Sequence, residues 1–577
     1  MKSNLRRIVQ YCFILGGISV VMSSCSEKDQ EEITATVEGT VLSVRVEGIA
    51  DAREIALSAS NGRTAVGLQT AVIAKEKMVS VDGFDAVVSV EKQALLEGDG
   101  ISSGARAAAS TTAVATKAST TKMRNGIEYR LVIYDAADVD HQHAPKANVV
   151  LKSGVTPTLP ISVDANKTYN WYAFSTNSAG TVPDVKNGVV DKAGLKNKDV
   201  VWANGTLTTQ AGVNNLAITF NRNTARVQVV VNTLGVSGIM SGVPQLELLA
   251  GTNGVLKYGD LNIFNGEYQN ATAFIVDDIS GSQTPAPRAY QNTFTLHTID
   301  NSTVIAANTL KAKLGNFNVR RFDFNAPNNS NYPGSALINF KSPTVALKND
   351  SEFTFVKSHA YKVDIKLVES AVNVAGVQWA RSNVKGYDAN LYEGNSVFFM
   401  ADPMNNVDHG FETFYWSNLP QDICQKVFPA GTWRLPTKGD FEKLRNVASN
   451  TVFLASTLSN NDLSGKGIGN GFLGIQYADE NTVINSGYPI YAQKLTLPMA
   501  GYHDFGITSG YNISNPSTKR QIEAGYWTKD GATFGKQYFH TNGGYVYTGS
   551  ETPPAITWGG NITPPVGQRF SVRCVRN

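Results

Sequence analysis

The segment Tyr361-Lys-Val-Asp-Ile-Lys-Leu367 alternates without a break. Tyr361, Val363, Ile365 and Leu367 fall on one side, and Lys362, Asp364 and Lys366 on the other. A period of two belongs to a β-strand with one buried face. A slip of one residue would expose the whole apolar set, so the register of such a strand is well specified. The same texture recurs along the chain. Tyr129–Tyr134, Tyr169–Phe174, Leu216–Phe220 and Ala225–Val231 are apolar or aromatic runs of strand length, separated by turn residues such as Asp135-Ala-Ala-Asp138 and Asn221–Thr224. No helical period runs through any of them. They have the length and composition of sandwich strands, so residues 123–235 and 236–370 read as two β-sandwich domains. Residues 25–122 precede them. Val41–Glu47 and Ala86–Glu91 are strand-like there, and Ser102–Thr121 is nearly all Ala, Ser, Thr and Gly. That stretch cannot bury enough apolar surface to fold alone and reads as an accessible loop.

The chain opens with Lys2, Arg6 and Arg7 before the apolar stretch Ile8–Met22. At about 15 residues this is too short to span a bilayer comfortably and reads as a signal-peptide core, giving a leader over 1–24. Met22-Ser-Ser-Cys25 resembles a bacterial lipobox, in which the thiol of Cys25 would receive diacylglycerol; an ordinary signal peptide with an incidental cysteine is the plainer alternative. The acidic run Ser26–Glu32 resembles the surface-export signal of Bacteroidota lipoproteins, or is a solvated tether. Removing the leader takes three basic residues and no acidic ones. The 51 Lys and Arg less these three leave 48, against 48 Asp and Glu. A neutral chain without a clustered basic surface lacks a nucleic-acid footprint, so no nucleic-acid partner is expected.

From about residue 371 to 577 the texture changes. Trp and Gly motifs follow one another: Val377–Val384, Phe414–Ser417, Gly431-Thr-Trp-Arg-Leu-Pro-Thr437, Leu497–Tyr502, Gly525–Thr528 and Gln568–Val575. After Pro436 a helix start is predicted, with Thr437 as cap, Asp440 three residues on, and Phe441, Leu444 and Val447 at helical spacing. Phe570, Val572 and Cys574 would share one face of a terminal strand.

Tyr129–Asp135, Lys167–Ser175 and Ile218–Val227 together resemble the succession of strands in the fimbrillin family of Bacteroidota pili, a likeness covering about residues 25–370. It implies two transthyretin-like β-sandwiches. It also implies proteolytic removal of an N-terminal strand after an arginine, and acceptance of a strand from another fimbrillin subunit. Arg106 in Ser103–Ala109 fits the cut best. Arg53 and Arg63 are upstream options, Arg45 lies within a strand, and Arg124 stands too near the next one. Trp433–Thr437, Leu497–Gly501, Gly525–Trp527 and Ser571–Cys574 resemble the "major paralogous" lipoprotein domain of Fibrobacter and Bacteroidota, which is similar to C-type-lectin-like folds. That resemblance implies an α+β domain over 371–577 and a disulfide between Cys424 and Cys574; two inert buried thiols are the alternative.

Candidate chemistry is sparse. The calcium-and-sugar triplets of sugar-binding lectins are absent, and Asn418–Asp422 is only a scrambled echo of one. His141 and His143 would share a strand face where zinc could bind, or else form a polar hairpin loop. No metal or cofactor is expected. Tyr502, Tyr511, Tyr526, Trp527, Tyr545 and Trp558 could stack on a sugar or peptide, or form a core. No phosphate loop, zinc-protease helix or nucleophile elbow occurs, so an enzyme is not expected. The expected protein is mainly β: a fimbrial tip subunit carried to the outer-membrane surface as a lipoprotein and then placed on the extracellular fimbrium. It would present residues 371–577 to a glycan or protein ligand. The alternative is a permanently lipid-anchored surface protein that binds such a ligand without polymerising.

Overall fold

The structure is a computed structural model that describes residues 39–50, 71–81, 83–93, 120–155, 160–241, 245–283, 290–299, 303–321, 337–385, 398–399, 422–444, 447, 450–454, 473–485, 488, 492–498, 523–529, 536–540 and 572–577. It is mainly β. Among the described residues three strands lead: β1 (Thr40–Ala50), β2 (Ala71–Val81) and β3 (Phe84–Gln93), the last two paired as a hairpin. Val41–Glu47 and Ala86–Glu91 fall within β1 and β3.

The first sheet runs Thr120–Thr121, β1, Val213–Arg222, Val201–Thr208, Thr168–Ser175, Glu128–Asp135 and Ala147–Lys152, with Ile161–Val163 also paired to β1. One face encloses a core of Leu42, Val44, Tyr129, Leu131, Trp171 and Phe220, among others. Glu128–Asp135 is buried on both faces because its second face, with Val132 and Tyr134, packs against Leu261 and Ile263 of the hairpin Lys257–Ala273. That double burial explains why Leu131–Tyr134 is continuously apolar rather than alternating. Gly205 lets the Trp171 ring lie across its strand: a Cβ there would stand 2.7 Å from the indole.

The second sheet runs Ser282–Gln283, Gln291–Thr298, Ala225–Gly235, Ala360–Val368, β3 and β2. Its inner face meets two smaller sheets that contribute Leu246, Leu310, Leu314, Val319 and Phe340. Tyr361, Val363, Ile365 and Leu367 are all buried in this core, and Lys362 pairs with Asp364 on the outer face at 2.6 Å. The boundary expected after residue 235 groups Ala225–Gly235 with the first sandwich. Its hydrogen bonds are instead with Gln291–Thr298 and Ala360–Val368 in the second sheet. The turn at Asn223–Thr224 lets the chain leave one sheet and enter the next, a change that local strand texture does not reveal.

Beyond it lie a sheet of Val372–Val374, Val377–Lys385, Arg573–Arg576 and Trp433–Arg434, a three-stranded sheet and a hairpin. Lys438–Lys443 is a short helix whose entry matches the predicted cap. Thr437 Oγ1 accepts from the Asp440 N–H at 3.1 Å, and the Asp440 carboxylate accepts from the Thr437 N–H at 2.8 Å. Phe441, Leu444 and Val447 are buried beside Trp379, Leu497, Tyr526 and Val575. Trp433, Trp527, Cys574 and Val572 join a neighbouring core. The Trp, Leu-Pro, Tyr-Trp and terminal motifs therefore meet in one region.

Candidate functional site

The first three strands occupy a place in both sandwiches. β1 lies parallel to Val213–Arg222, from Val41 opposite Val213 to Ala50 opposite Asn221. Its Leu42, Val44 and Ile49 enter the first core. β3 lies antiparallel to Ala360–Val368, from Asp85 opposite Val368 to Gln93 opposite Ala360. Its Phe84, Ala86, Val88 and Val90 are fully enclosed in the second core, with the Phe84 ring edge-on to Phe340 at 4.7 Å between centroids. Burying each of the larger side chains contributes about 1.5–3 kcal/mol relative to exposure. Both seats are thus filled by side chains from one short stretch of chain.

Polar contacts fix the hairpin from outside. The Asp350 carboxylate accepts from the Lys75 N–H at 2.9 Å and pairs with Lys77. The Lys77 hydrogen bond, helped by the Lys75 N–H, holds the Asp350 carboxyl below its ordinary pKa. Lys366 Nζ meets Glu76 at 2.6 Å.

The outer face of β3 is also covered near its start. Val87 packs with Val368, Val384, Trp433 and Val572. Asp85 Oδ2 accepts from Arg576 Nη2 at 2.5 Å, with the two side chains only 15% and 5% exposed. The Arg576 guanidinium also donates to the Glu369 carbonyl at 2.7 Å and lies 4.1 Å over the Trp433 ring. Neither partner was legible in the sequence, since 491 positions separate them. The one local hint is a pair of arginines, Arg573 and Arg576, in an otherwise apolar terminal strand.

That terminal strand is enclosed. Arg573–Arg576 pairs with Val377–Lys385 on one side and Trp433–Arg434 on the other. Cys574 is bonded to Cys424 across 150 positions, and both are fully buried. Of the predicted single apolar face, Val572 and Cys574 are buried, and Phe570 lies outside the described residues. Val575 is also buried, and Arg573 is wholly enclosed, donating to the Ala380 and Thr496 carbonyls at 3.0 and 2.7 Å.

The other sequence candidates separate. Cys25 and Arg106 lie outside the described residues, as do Arg53, Arg63, Tyr502, Tyr511, Tyr545 and Trp558. Tyr526 and Trp527 are core residues, so they offer no stacking surface. The Asp422 carboxylate is turned to backbone N–H groups, accepting from Cys424 at 3.1 Å and Leu435 at 3.0 Å. His141 and His143 stand in a loop, not on a strand face. His141, at φ 53°, stacks on Phe264 at 3.8 Å, and its Nε2 lies 3.1 Å from the Tyr172 hydroxyl. His143 Nδ1 lies 3.2 Å from Asp138, whose carboxylate accepts from the Gln142 and His143 N–H groups at 3.0 Å each.

No protein-family model matches this chain, and no curated protein matches it. Solved structures do resemble parts of it. A candidate cell adhesion protein of Bacteroides fragilis is 16% identical over 47% of this chain and 88% of its own, with a TM-score of 0.26. The fimbrial anchor protein Mfa2 of Porphyromonas gingivalis is 10% identical over 34% of this chain and 73% of its own, with a TM-score of 0.21. A fimbrial assembly protein of Parabacteroides distasonis is 13% identical over 42% and 83%, with a TM-score of 0.20.

Proposed function

We propose that the chain is a fimbrial tip subunit that accepts a strand from a neighbouring subunit after its own N-terminal segment is cut away. The arrangement of β1–β3 carries this reading. One stretch at the start of the chain fills a seat in each sandwich, and its departure would free the edges of Val213–Arg222 and Ala360–Val368. A freed edge beside an open apolar groove is a template for strand addition. The cut belongs after Arg106, on the chain between β3 and Thr120–Thr121. The strand Arg573–Arg576 is paired on both edges and tied by a disulfide, so it is not free for donation to another subunit, which supports an accepting role. In this reading Cys25 carries the precursor to the outer membrane as a lipoprotein, and residues 371–577 face a glycan or protein ligand by binding rather than catalysis.

The test is treatment of the purified precursor with an arginine-specific protease, followed by mixing with shaft fimbrillin. Cleavage between β3 and Thr120, with the cut form capping shaft polymers, is the expected result. Resistance to cleavage, or a cut form that never caps, sinks the reading. A second reading is favoured by the contacts of Asp85 and Val87 with the C-terminal region. It makes the N-terminal segment a permanent part of a surface protein that stays anchored and binds its ligand without polymerising.

A further inference from the structure

The two seats differ in what they ask of an occupant. The seat of β3 constrains both faces. Inward, Phe84, Ala86, Val88 and Val90 are fully buried in the second core. Outward, at the β2–β3 turn end, Val87 and Asp85 are covered by the disulfide-closed region. Arg381, Arg573 and Arg576 of this region are all nearly or wholly buried. All three donate to backbone carbonyls, and Arg576 alone of the three also takes a carboxylate from β3. Taking away Asp85 leaves a guanidinium in an enclosed place without that partner, and breaking a buried pair from one side is strongly unfavourable.

We propose that the seat beside Ala360–Val368 selects its occupant by charge. A strand that replaces β3 must carry a carboxylate where Asp85 now stands, opposite Val368, and a compact apolar side chain at the position of Val87. The partner is therefore an extended segment of another subunit with an aromatic residue, an acid, then small and aliphatic residues in alternation. This rests on the strand-accepting reading above and adds a rule of choice to it. Neutral or basic strands that would fit the inner groove equally well are disfavoured by Arg576, which would then keep only the Glu369 carbonyl of its two hydrogen-bond partners there.

The experiment uses the full chain nicked by an arginine-specific protease. A labelled ten-residue peptide copying residues 84–93 is offered in excess, beside the same peptide with Asp85→Asn. Retention is read by gel filtration and affinity by fluorescence anisotropy. The Asn peptide is expected to bind ~10-fold more weakly or worse, since one member of a buried pair is lost. In an Arg576→Met chain the preference should disappear. Equal affinity of the two peptides for the unmutated chain overturns the charge rule and leaves strand acceptance standing. Capture of neither peptide overturns both. A preference that survives Arg576→Met also overturns the rule, because the selectivity then comes from elsewhere. Because the peptides carry the decisive change, the comparison holds even where the Arg576 variant fails to fold.

Discussion

At the scale of single residues, two carboxylates contrast a local polar contact with one between distant parts of the chain. Asp440 closes the capping box with Thr437 and meets Arg434 Nη1 at 2.8 Å. Burial alone would raise its pKa, but the Arg434 and Thr437 hydrogen bonds outweigh burial and hold it low. Thr437→Ala is expected to cost about 1 kcal/mol, as a lost cap does. Asp440→Ala is expected to cost about 1–3 kcal/mol, because it also strips a partner from Arg434. Thermal unfolding followed by tryptophan fluorescence would order the two; equal losses would show that the Arg434 contact contributes nothing. Asp350 gives a pH signature. Its pKa is depressed in the fold, so its contribution is complete above the ordinary value near 3.8 and is lost as pH falls through the lower folded value. Asp350→Asn should therefore loosen β2 at neutral pH and converge with the unmutated chain in strong acid. Hydrogen exchange over residues 71–93 across that range checks it, and a gap that widens on acidification refutes the sign. The cap was legible because its residues lie three apart. The Asp350 and Asp85 contacts were not, since their partners are hundreds of positions away.

At the scale of elements, period and burial together decide what could be read. Ala360–Val368 was legible because its outer face is polar and its inner face apolar, so alternation survives in the sequence. The pairing of β1 with Val213–Arg222 was not, since a parallel contact between distant segments leaves no local mark. Arg573–Arg576 misled for a third reason: enclosed on both faces, it spends arginines on buried carbonyls where a one-faced strand would expose them. β3 offers the sharpest test of an element's weight. Phe84 has no exposed surface and meets Phe340 edge-on. Phe84→Ala is expected to destabilise the second sandwich by about 3–5 kcal/mol through lost burial and the cavity left behind. Val44→Pro in β1 should instead loosen the first sheet, since proline cannot donate to a strand ladder. Urea unfolding with hydrogen exchange on each sheet separates the two effects. If Val44→Pro also exposed Ala360–Val368, the two seats would be one cooperative unit rather than two.

At the scale of the whole molecule, the disulfide should govern the region beyond residue 371 and reach β3 through the contacts of Asp85 and Val87. Cys424–Cys574 closes a loop of 150 positions, which in the chain-entropy account contributes about 4–5 kcal/mol. Replacing both cysteines by serine is expected to remove most of that from the region beyond residue 371. The loss should also travel in a defined direction. Cys574 lies two residues before Arg576, and Val87 shares its core with both cysteines, so loosening the terminal strand weakens the hold on Asp85 and Val87. β3 borders Ala360–Val368 in the second sheet, whereas β1 is seated in the first. Hydrogen exchange in the double-serine chain should therefore quicken first over 573–576 and 377–385, next over 84–88, and last or not at all over 40–50. Equal quickening of β1 and β3 would mean that the disulfide stabilises the entire body. Quickening confined to the region beyond 371 would mean that Asp85 and Val87 transmit nothing, and the N-terminal segment would then be free to leave whatever state the C-terminal region is in.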